Sequence, residues 1–177
     1  MNGAQPGVRT GRRRPLWLLA ALSLLTLGAY VPIWFGLTWA EIKSETKDER
    51  MLPLGHALAT LVPGVNGWIA WRHFRAINGL LEKAGRPERV DALSGALGLV
   101  IWWLTFTHYS SDPVFLALDA VELLAGTAVV VYGQRGLNAY WATLGAVEKL
   151  LETDLIVLAV AGTYALFTLV GFLTATP

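Results

Sequence analysis

The amino-acid sequence predicts an all-α integral membrane protein with five transmembrane helices. Its 177 residues are 54% hydrophobic and only 15% charged, whereas charged residues make up about 25% of an average soluble domain. Five apolar segments approach or exceed the roughly 20 residues that a membrane-crossing helix needs. They cover residues 16–40, 52–71, 92–109, 113–132 and 155–173. No other stretch is long enough for a soluble domain, so we expect a disordered tail over 1–15 and one membrane domain over 16–177.

The first apolar segment follows a short basic tail. Arg12, Arg13 and Arg14 end this tail, and we expect them to lie at the inner leaflet. The apolar run that follows is longer than the roughly 7–15 residues of a signal-peptide core, which favours a first crossing over a cleaved export signal. Pro32 lies within the run and predicts a kink.

The second apolar segment, 52–71, is interrupted in its middle. Pro63, Gly64 and Gly67 predict a break or a kink at this point. A full crossing gives five transmembrane helices, and a re-entrant segment gives four. Beyond the segment, apolar residues recur at helical spacing among basic ones, which predicts an amphipathic cytoplasmic helix that ends at Gly85.

The third and fourth segments are joined by a very short turn. Asp112 fits the N-cap and Pro113 the first position of the fourth helix, so these two helices form a tight antiparallel hairpin. After the fourth segment, apolar residues at helical spacing over Leu137–Asp154 predict a second amphipathic cytoplasmic helix.

The distribution of Lys and Arg orients the chain. With five crossings, eleven of the 14 basic residues fall on the side of the N-terminus and three on the other side. Basic residues prefer the cytoplasmic side, so the N-terminus is predicted to be cytoplasmic. A re-entrant second segment would instead place the basic loops 41–50 and 72–89 together on the outside, which favours five crossings.

Several functional classes are excluded by the absence of their motifs. The chain has no cysteine, which excludes disulfides and thiol catalysis. It has no phosphate-binding glycine loop, zinc-protease helix or nucleophile elbow. Its net charge of +1 gives no bias towards nucleic acid. We therefore predict no catalytic residue, no cofactor, no metal and no nucleic-acid partner.

The candidate site is an intramembrane pair of acids, Asp119 and Glu122. They lie three residues apart, so they share one helix face, and Gly126 and Gly133 continue that face. Glu122 is predicted about 13 Å below the outer edge, at 1.5 Å per residue. A charge at this depth is costly unless it is neutral or paired.

Other polar residues complete the candidate site. His56 and His108 are predicted on the outer side near Asp119, with Asn66 deeper beside Glu122. Carboxylates and imidazoles at graded depth are typical of a proton path or a cation site. The structural alternatives stay open: Glu122 can fix helix packing through a hydrogen bond, Asp119 can be hydrated, the histidines can be interfacial, and Asn66 can bind backbone freed by Pro63.

Thr26, Gly28, Tyr30 and Trp34 form a Thr-x-Gly-x-Tyr pattern followed by Trp within an apolar segment. On these residues the chain resembles a family of uncharacterised bacterial multi-pass membrane proteins. Further stretches carry the resemblance: Gly55–Pro63, His73–Asn78 and Gln134–Trp141. The resemblance implies a location in the bacterial inner membrane and carries no activity. Two of these regions also echo each other, since a glycine-centred break is followed by a tryptophan in each.

Two functional hypotheses follow. The first is a non-enzymatic membrane scaffold or accessory subunit, in contact with the bilayer, with anionic lipid at the Arg72–Arg89 loop, and with a protein partner or further copies of itself. The second is a small proton- or cation-coupled transporter or channel that uses the acids of the fourth helix.

Overall fold

The computed structural model describes residues 11–106, 112–148, 150 and 152–175. Within them the chain is helical, and apart from an isolated backbone bridge between Arg13 and Glu148 it forms no β-structure. The all-α prediction is therefore confirmed. The helices are α1 (Leu16–Leu25), α2 (Tyr30–Thr46), α3 (Pro53–Ala59), α4 (Val65–Lys83), α5 (Ala92–Trp103, extended by a 3-10 turn over Leu104–Phe106), α6 (Pro113–Thr143) and α7 (Glu152–Ala175).

The first apolar segment is a helical hairpin. Leu27 and Gly28 reverse the chain with φ angles of 50° and 87°, and the Arg14 guanidinium pairs with the Glu41 carboxylate. In one continuous helix these two residues would lie about 40 Å apart, at 1.5 Å per residue. The prediction of a single crossing over 16–40 is therefore wrong. Pro32 does not kink a helix, because it lies in the first turn of α2, where proline is tolerated.

The second apolar segment is also a hairpin. The predicted break is confirmed: α3 ends at Ala59 and α4 begins at Val65, with Gly64 at a φ of 76° between them. His56 Nε2 then lies 3.0 Å from His73 Nδ1 across the hairpin. This segment therefore turns back on itself, as the re-entrant alternative requires.

Helices α4, α5 and α6 form the centre of the fold. A Cβ atom added to Gly95 of α5 would lie 2.8 Å from the Phe74 ring of α4, and one added to Gly98 would lie 2.5 Å from Val129 of α6. Glycines thus allow close approach between apolar helices. Helices α5 and α6 pack antiparallel as predicted, since Gly98 lies against Val129 and Gly126 against Trp102, and residues 107–111 of the predicted connection lie outside the described residues. Asp112 caps α6 by accepting the Val114 N–H at 2.8 Å.

Both helical hairpins point in the same direction. Gly28, in the first turn, abuts Trp102 and Leu123, and the carbonyl of Leu61, in the second turn, accepts the Trp103 Nε1–H at 2.9 Å. The two turns therefore lie beside the same level of α5 and α6.

The open ends of the hairpins lie at the other end of the molecule. There the Arg14 N–H donates to Asn138 Oδ1 at 3.0 Å, and the Tyr140 hydroxyl donates to Glu45 Oε1 at 2.6 Å. We call this end, marked by Arg14, Glu45, Asn138 and Tyr140, the basic face.

The two predicted amphipathic extensions have different outcomes. Helix α4 continues to Lys83, and Gly85 follows it with a φ of 66°, as predicted. A separate helix over Leu137–Asp154 is not formed, because α6 continues without interruption to Thr143. Tertiary packing explains this continuation, since Leu137, Tyr140 and Trp141 are buried on α6.

Helix α6 is 31 residues long and, among the described residues, is the one helix long and apolar enough to cross a membrane. Its far end extends beyond the turns of the hairpins, and several of its apolar side chains are exposed. Val114 is 66% exposed, Val121 58% and Leu124 56%. The structure supports an all-helical fold with one membrane-length helix among the described residues, and it does not support five transmembrane helices.

Candidate functional site

A buried ion pair holds the open end of the first hairpin together. Arg14 is 3% exposed and Glu41 7%, and Arg14 NH1 donates to Glu41 Oε2 at 3.2 Å while NH2 donates to Oε1. Burial raises the pKa of the Glu41 carboxyl, and the facing Arg14 guanidinium offsets part of that rise. Such a pair is costly to break, because removing one partner leaves a buried charge.

Side-chain amides of α6 connect this pair to α2. The Asn138 amide both accepts the Arg14 N–H and donates to the Arg14 carbonyl, the latter at 2.7 Å. Gln134 donates to Asn138 Oδ1 and accepts the Trp34 indole N–H, each at 2.9 Å. Trp34 and Gln134 are fully buried, so each indole and amide group is paired where water cannot replace the bond.

The chain of hydrogen bonds continues into the second hairpin. The Thr38 hydroxyl donates to the Trp34 carbonyl at 2.7 Å, so its oxygen must accept from His73 Nε2, 3.1 Å away. His73 therefore carries its proton on Nε2, and its Nδ1 accepts from His56 Nε2 at 3.0 Å. His73 is neutral in this arrangement, and burial of His56 beside the Arg72 guanidinium favours a neutral ring there as well.

Aromatic rings and arginine surround the histidine pair. The Trp39 ring stacks on His56 with centroids 3.9 Å apart and planes 3° apart. The Arg72 guanidinium lies 5.3 Å from the centroid of the Trp39 ring and 5.5 Å from that of Trp68, within the range of a cation–π interaction. Beside them is a cavity of about 290 Å³ that Trp39, Arg50, His56 and Arg72 line.

We call the connected set Arg14, Glu41, Asn138, Gln134, Trp34, Thr38, His73 and His56 the polar network. It joins α2, α3, α4, α6 and the residues before α1 through side-chain hydrogen bonds between these elements. No cluster of three His, Cys, Asp or Glu suited to a metal ion occurs in the part of the chain that the structure describes.

The predicted acidic face of α6 is turned inward. Glu122, Gly126 and Gly133 are buried, and Asp119 is half-buried. A Cβ atom on Gly126 would lie 2.3 Å from the Trp102 ring, so Trp102 packs directly one turn from Glu122. Glu122 is thus a buried carboxyl at the level of the hairpin turns.

The other predicted site residues do not gather around Asp119. His56 is buried against Trp39 and His73, on the side of the hairpins away from their turns. Asn66 is buried, donates to the Leu99 carbonyl at 3.4 Å and accepts the Gly67 N–H at 2.8 Å, so its amide binds the backbone of α5 and of the first turn of α4. His108 lies outside the described residues.

The sequence reasoning missed the polar network, although a signal was present. Arg14 and Glu41 lie thirteen residues on either side of the Leu27–Gly28 pair, and His56 and His73 lie eight and nine residues from Gly64. Complementary residues placed symmetrically about a glycine break are what a hairpin requires. The echo between the two segments is thus a repeated helical hairpin.

Comparisons of the chain with protein-family models, with curated proteins and with solved structures find no match. The resemblance to a family of uncharacterised bacterial membrane proteins therefore stays a prediction.

Proposed function

We propose that the chain is a non-enzymatic scaffold or accessory subunit of the bacterial inner membrane. In this proposal α5, α6 and α7 cross the bilayer, while α1–α2 and α3–α4 enter it as re-entrant hairpins from the cytoplasmic side. The observation that carries the proposal is the closure of both hairpins at their open ends, by Arg14 with Glu41 and by His56 with His73.

The charge distribution supports this topology. When both hairpins return to the side on which they began, all 14 Lys and Arg residues of the sequence lie on the side of the N-terminus. Five crossings leave three of them outside. Cytoplasmic loops carry an excess of basic residues. The three-crossing topology agrees better with this preference and places the basic face in the cytoplasm.

The dimensions also agree. Residues 113–132 of α6 span about 30 Å, the thickness of a typical hydrocarbon core. Leu123, beside the turn of the first hairpin, is about 15 Å from the start of this stretch. The turns therefore lie near the bilayer midplane, the first against Trp102 and Leu123 and the second hydrogen-bonded to Trp103.

The use of the buried polar groups supports a scaffold role. The arginine, amide, indole, hydroxyl and imidazole groups of the polar network bind each other and hold separate elements together. The product is a rigid membrane anchor with a charged cytoplasmic surface, suited to contact with lipid headgroups and with a partner protein or further copies of the chain.

Cysteine labelling from one side of the membrane tests the topology. The chain has no native cysteine, and the loop 47–52 is the one connection whose side differs between three and five crossings. Glu49, whose side chain is 90% exposed, is replaced by cysteine. Val147 and Val114, 78% and 66% exposed, serve as cytoplasmic and outer controls in both topologies. Labelling of Glu49→Cys from the cytoplasm is expected, and labelling from outside overturns the proposal.

The alternative function is a small proton- or cation-coupled transporter, and the burial of Glu122 on a membrane-length helix favours it. A transport pathway requires water to reach this carboxyl. Reaction of Glu122 with a carbodiimide, slowed by a transported cation, would support transport. If Glu122 does not react and Glu122→Gln leaves the function of the cell unchanged, the transporter alternative is rejected and the scaffold proposal remains.

A further inference from the structure

We propose that the cavity between Trp39, Arg50, His56 and Arg72 binds the headgroup of an anionic glycerophospholipid that carries a hydroxyl, as phosphatidylglycerol does. This inference rests on the proposed membrane topology and assigns a specific site to its cytoplasmic surface. The cavity of about 290 Å³ is at the small end of ligand sites, so it suits a headgroup rather than a whole lipid.

The charge of the cavity favours a phosphodiester. Arg50 and Arg72 are its charged lining residues, and no carboxylate lines it. Neither arginine forms an ion pair with a described residue. The Arg72 guanidinium carbon lies over the rings of Trp39 and Trp68, and these contacts do not need its N–H groups, which can donate to a phosphate.

The histidine supplies a complementary acceptor. His56 uses Nε2–H to donate to His73, so its Nδ1 is the unprotonated nitrogen, and no described residue donates a hydrogen bond to it. An acceptor beside two guanidinium groups matches a ligand with both a phosphate and a hydroxyl. Phosphatidylcholine has the phosphate but no hydroxyl donor, and its quaternary ammonium is repelled by the arginines.

The cavity lies at the depth of the headgroups. Phe74, two residues after Arg72, packs on Tyr132 with ring centroids 5.9 Å apart, and Tyr132 ends the apolar stretch 113–132. Arg72 is therefore within about 3 Å of the cytoplasmic edge of the hydrocarbon core. Trp68 and Trp71, 53% and 40% exposed, fit the tryptophan belt at such an edge.

The experiment measures lipid retention by native mass spectrometry after the full chain is taken from mixed phosphatidylglycerol and phosphatidylcholine bilayers. Arg72→Gln and Arg50→Gln test the site. Arg75→Gln is the matched control, because Arg75 lies one turn later on α4, 4.9 Å from the Trp71 ring centroid, and outside the cavity. We expect about tenfold lower retention of phosphatidylglycerol in the site variants and less than a twofold change in the control.

A second arm tests the hydroxyl. His56→Phe removes the Nδ1 acceptor and keeps an aromatic ring against Trp39. The wild-type protein should prefer phosphatidylglycerol over phosphatidylmethanol, an anionic lipid without a headgroup hydroxyl. His56→Phe should abolish that preference and keep the preference for both anionic lipids over phosphatidylcholine.

Three results overturn the inference: no preference for phosphatidylglycerol in the wild-type protein, equal loss in Arg75→Gln, or displacement of the lipid by millimolar glycerol phosphate, which would make the site one for a soluble anion. Melting temperatures show that the variants are folded. The Glu49→Cys labelling is measured independently of lipid retention. If Glu49→Cys is labelled from the cytoplasm but the protein shows no lipid preference, only the headgroup site is rejected. If it is labelled from outside, the proposed topology is rejected.

Discussion

The carboxylate of Glu41 pairs with the guanidinium of Arg14, which lies 27 positions earlier in the chain, across a mostly apolar sequence. Because both groups are buried, this contact fixes the two ends of the segment on one side of the molecule. Composition alone favours one crossing for such a segment, whereas the structure shows two short antiparallel helices whose ends this pair joins.

Removing one member of this pair should destabilise the fold strongly. Glu41→Gln leaves the Arg14 guanidinium buried without its counter-charge, and we expect a loss of about 3–5 kcal/mol. The double variant Arg14→Met/Glu41→Leu should lose less than Glu41→Gln, because neither charge then remains. Melting temperatures in detergent compare the two. A double variant less stable than the single would contradict the pairing.

In the turn of the second hairpin, Gly64 should be required only for its backbone conformation. Gly64 has a φ of 76°, and a Cβ atom added there would meet only open space, so Gly64→Ala should cost about 1–2 kcal/mol through conformation only. Gly79 also has open space but lies within α4, and Gly79→Ala should stabilise by up to about 1 kcal/mol. Equal effects of the two substitutions on the melting temperature would contradict the turn.

Gly28 should be less tolerant than Gly64. It has a φ of 87°, and a Cβ atom there would lie 2.5 Å from Trp102 Nε1. Gly28→Ala therefore adds a steric clash to the conformational cost, and its melting temperature should fall below that of Gly64→Ala. Replacing Trp102 by a smaller residue in the Gly28→Ala background should recover part of the loss, and the absence of any recovery would argue against this contact.

Much of the helical architecture follows from local sequence signals. Asp112 and Pro113 start α6 as predicted, and Gly85 follows α4 as predicted. The inward face of α6 through Glu122, Gly126 and Gly133 also follows from helical periodicity, because all three are buried.

The hairpins and the polar network depend on contacts that local signals do not specify. Gly28 lies in an apolar run without any charge, so hydropathy treats the run as one helix although the backbone reverses there. Gln134 is the first polar side chain after the apolar segment 113–132, yet it is buried and accepts the indole N–H of Trp34, 100 residues earlier. His56 does not lie where it was predicted for the same reason, since its position was counted along one continuous helix, whereas the chain turns back at Gly64.

The N-cap of α5 should contribute a pH-dependent part of the stability. The Asp91 carboxylate accepts the Ser94 N–H, and this hydrogen bond lowers the pKa of Asp91 below its ordinary 3.8. A lowered carboxylate pKa stabilises the fold above the unfolded-state pKa, and this stabilisation is lost as the pH falls through the folded-state pKa. The difference in melting temperature between the wild-type protein and Asp91→Asn should therefore shrink from pH 7 to pH 3. A difference that grows on acidification would contradict this origin.

The central claim is that each of the first two apolar segments returns to its own side, and a distance across the first hairpin tests it most directly. Trp17 and Leu37 are 58% and 47% exposed, and spin labels on cysteines at these positions report their separation in a bilayer by pulsed electron paramagnetic resonance. A hairpin predicts a separation below about 20 Å, whereas one continuous helix places the positions about 30 Å apart. A single population near 30 Å would contradict the hairpin and, with it, the proposed topology.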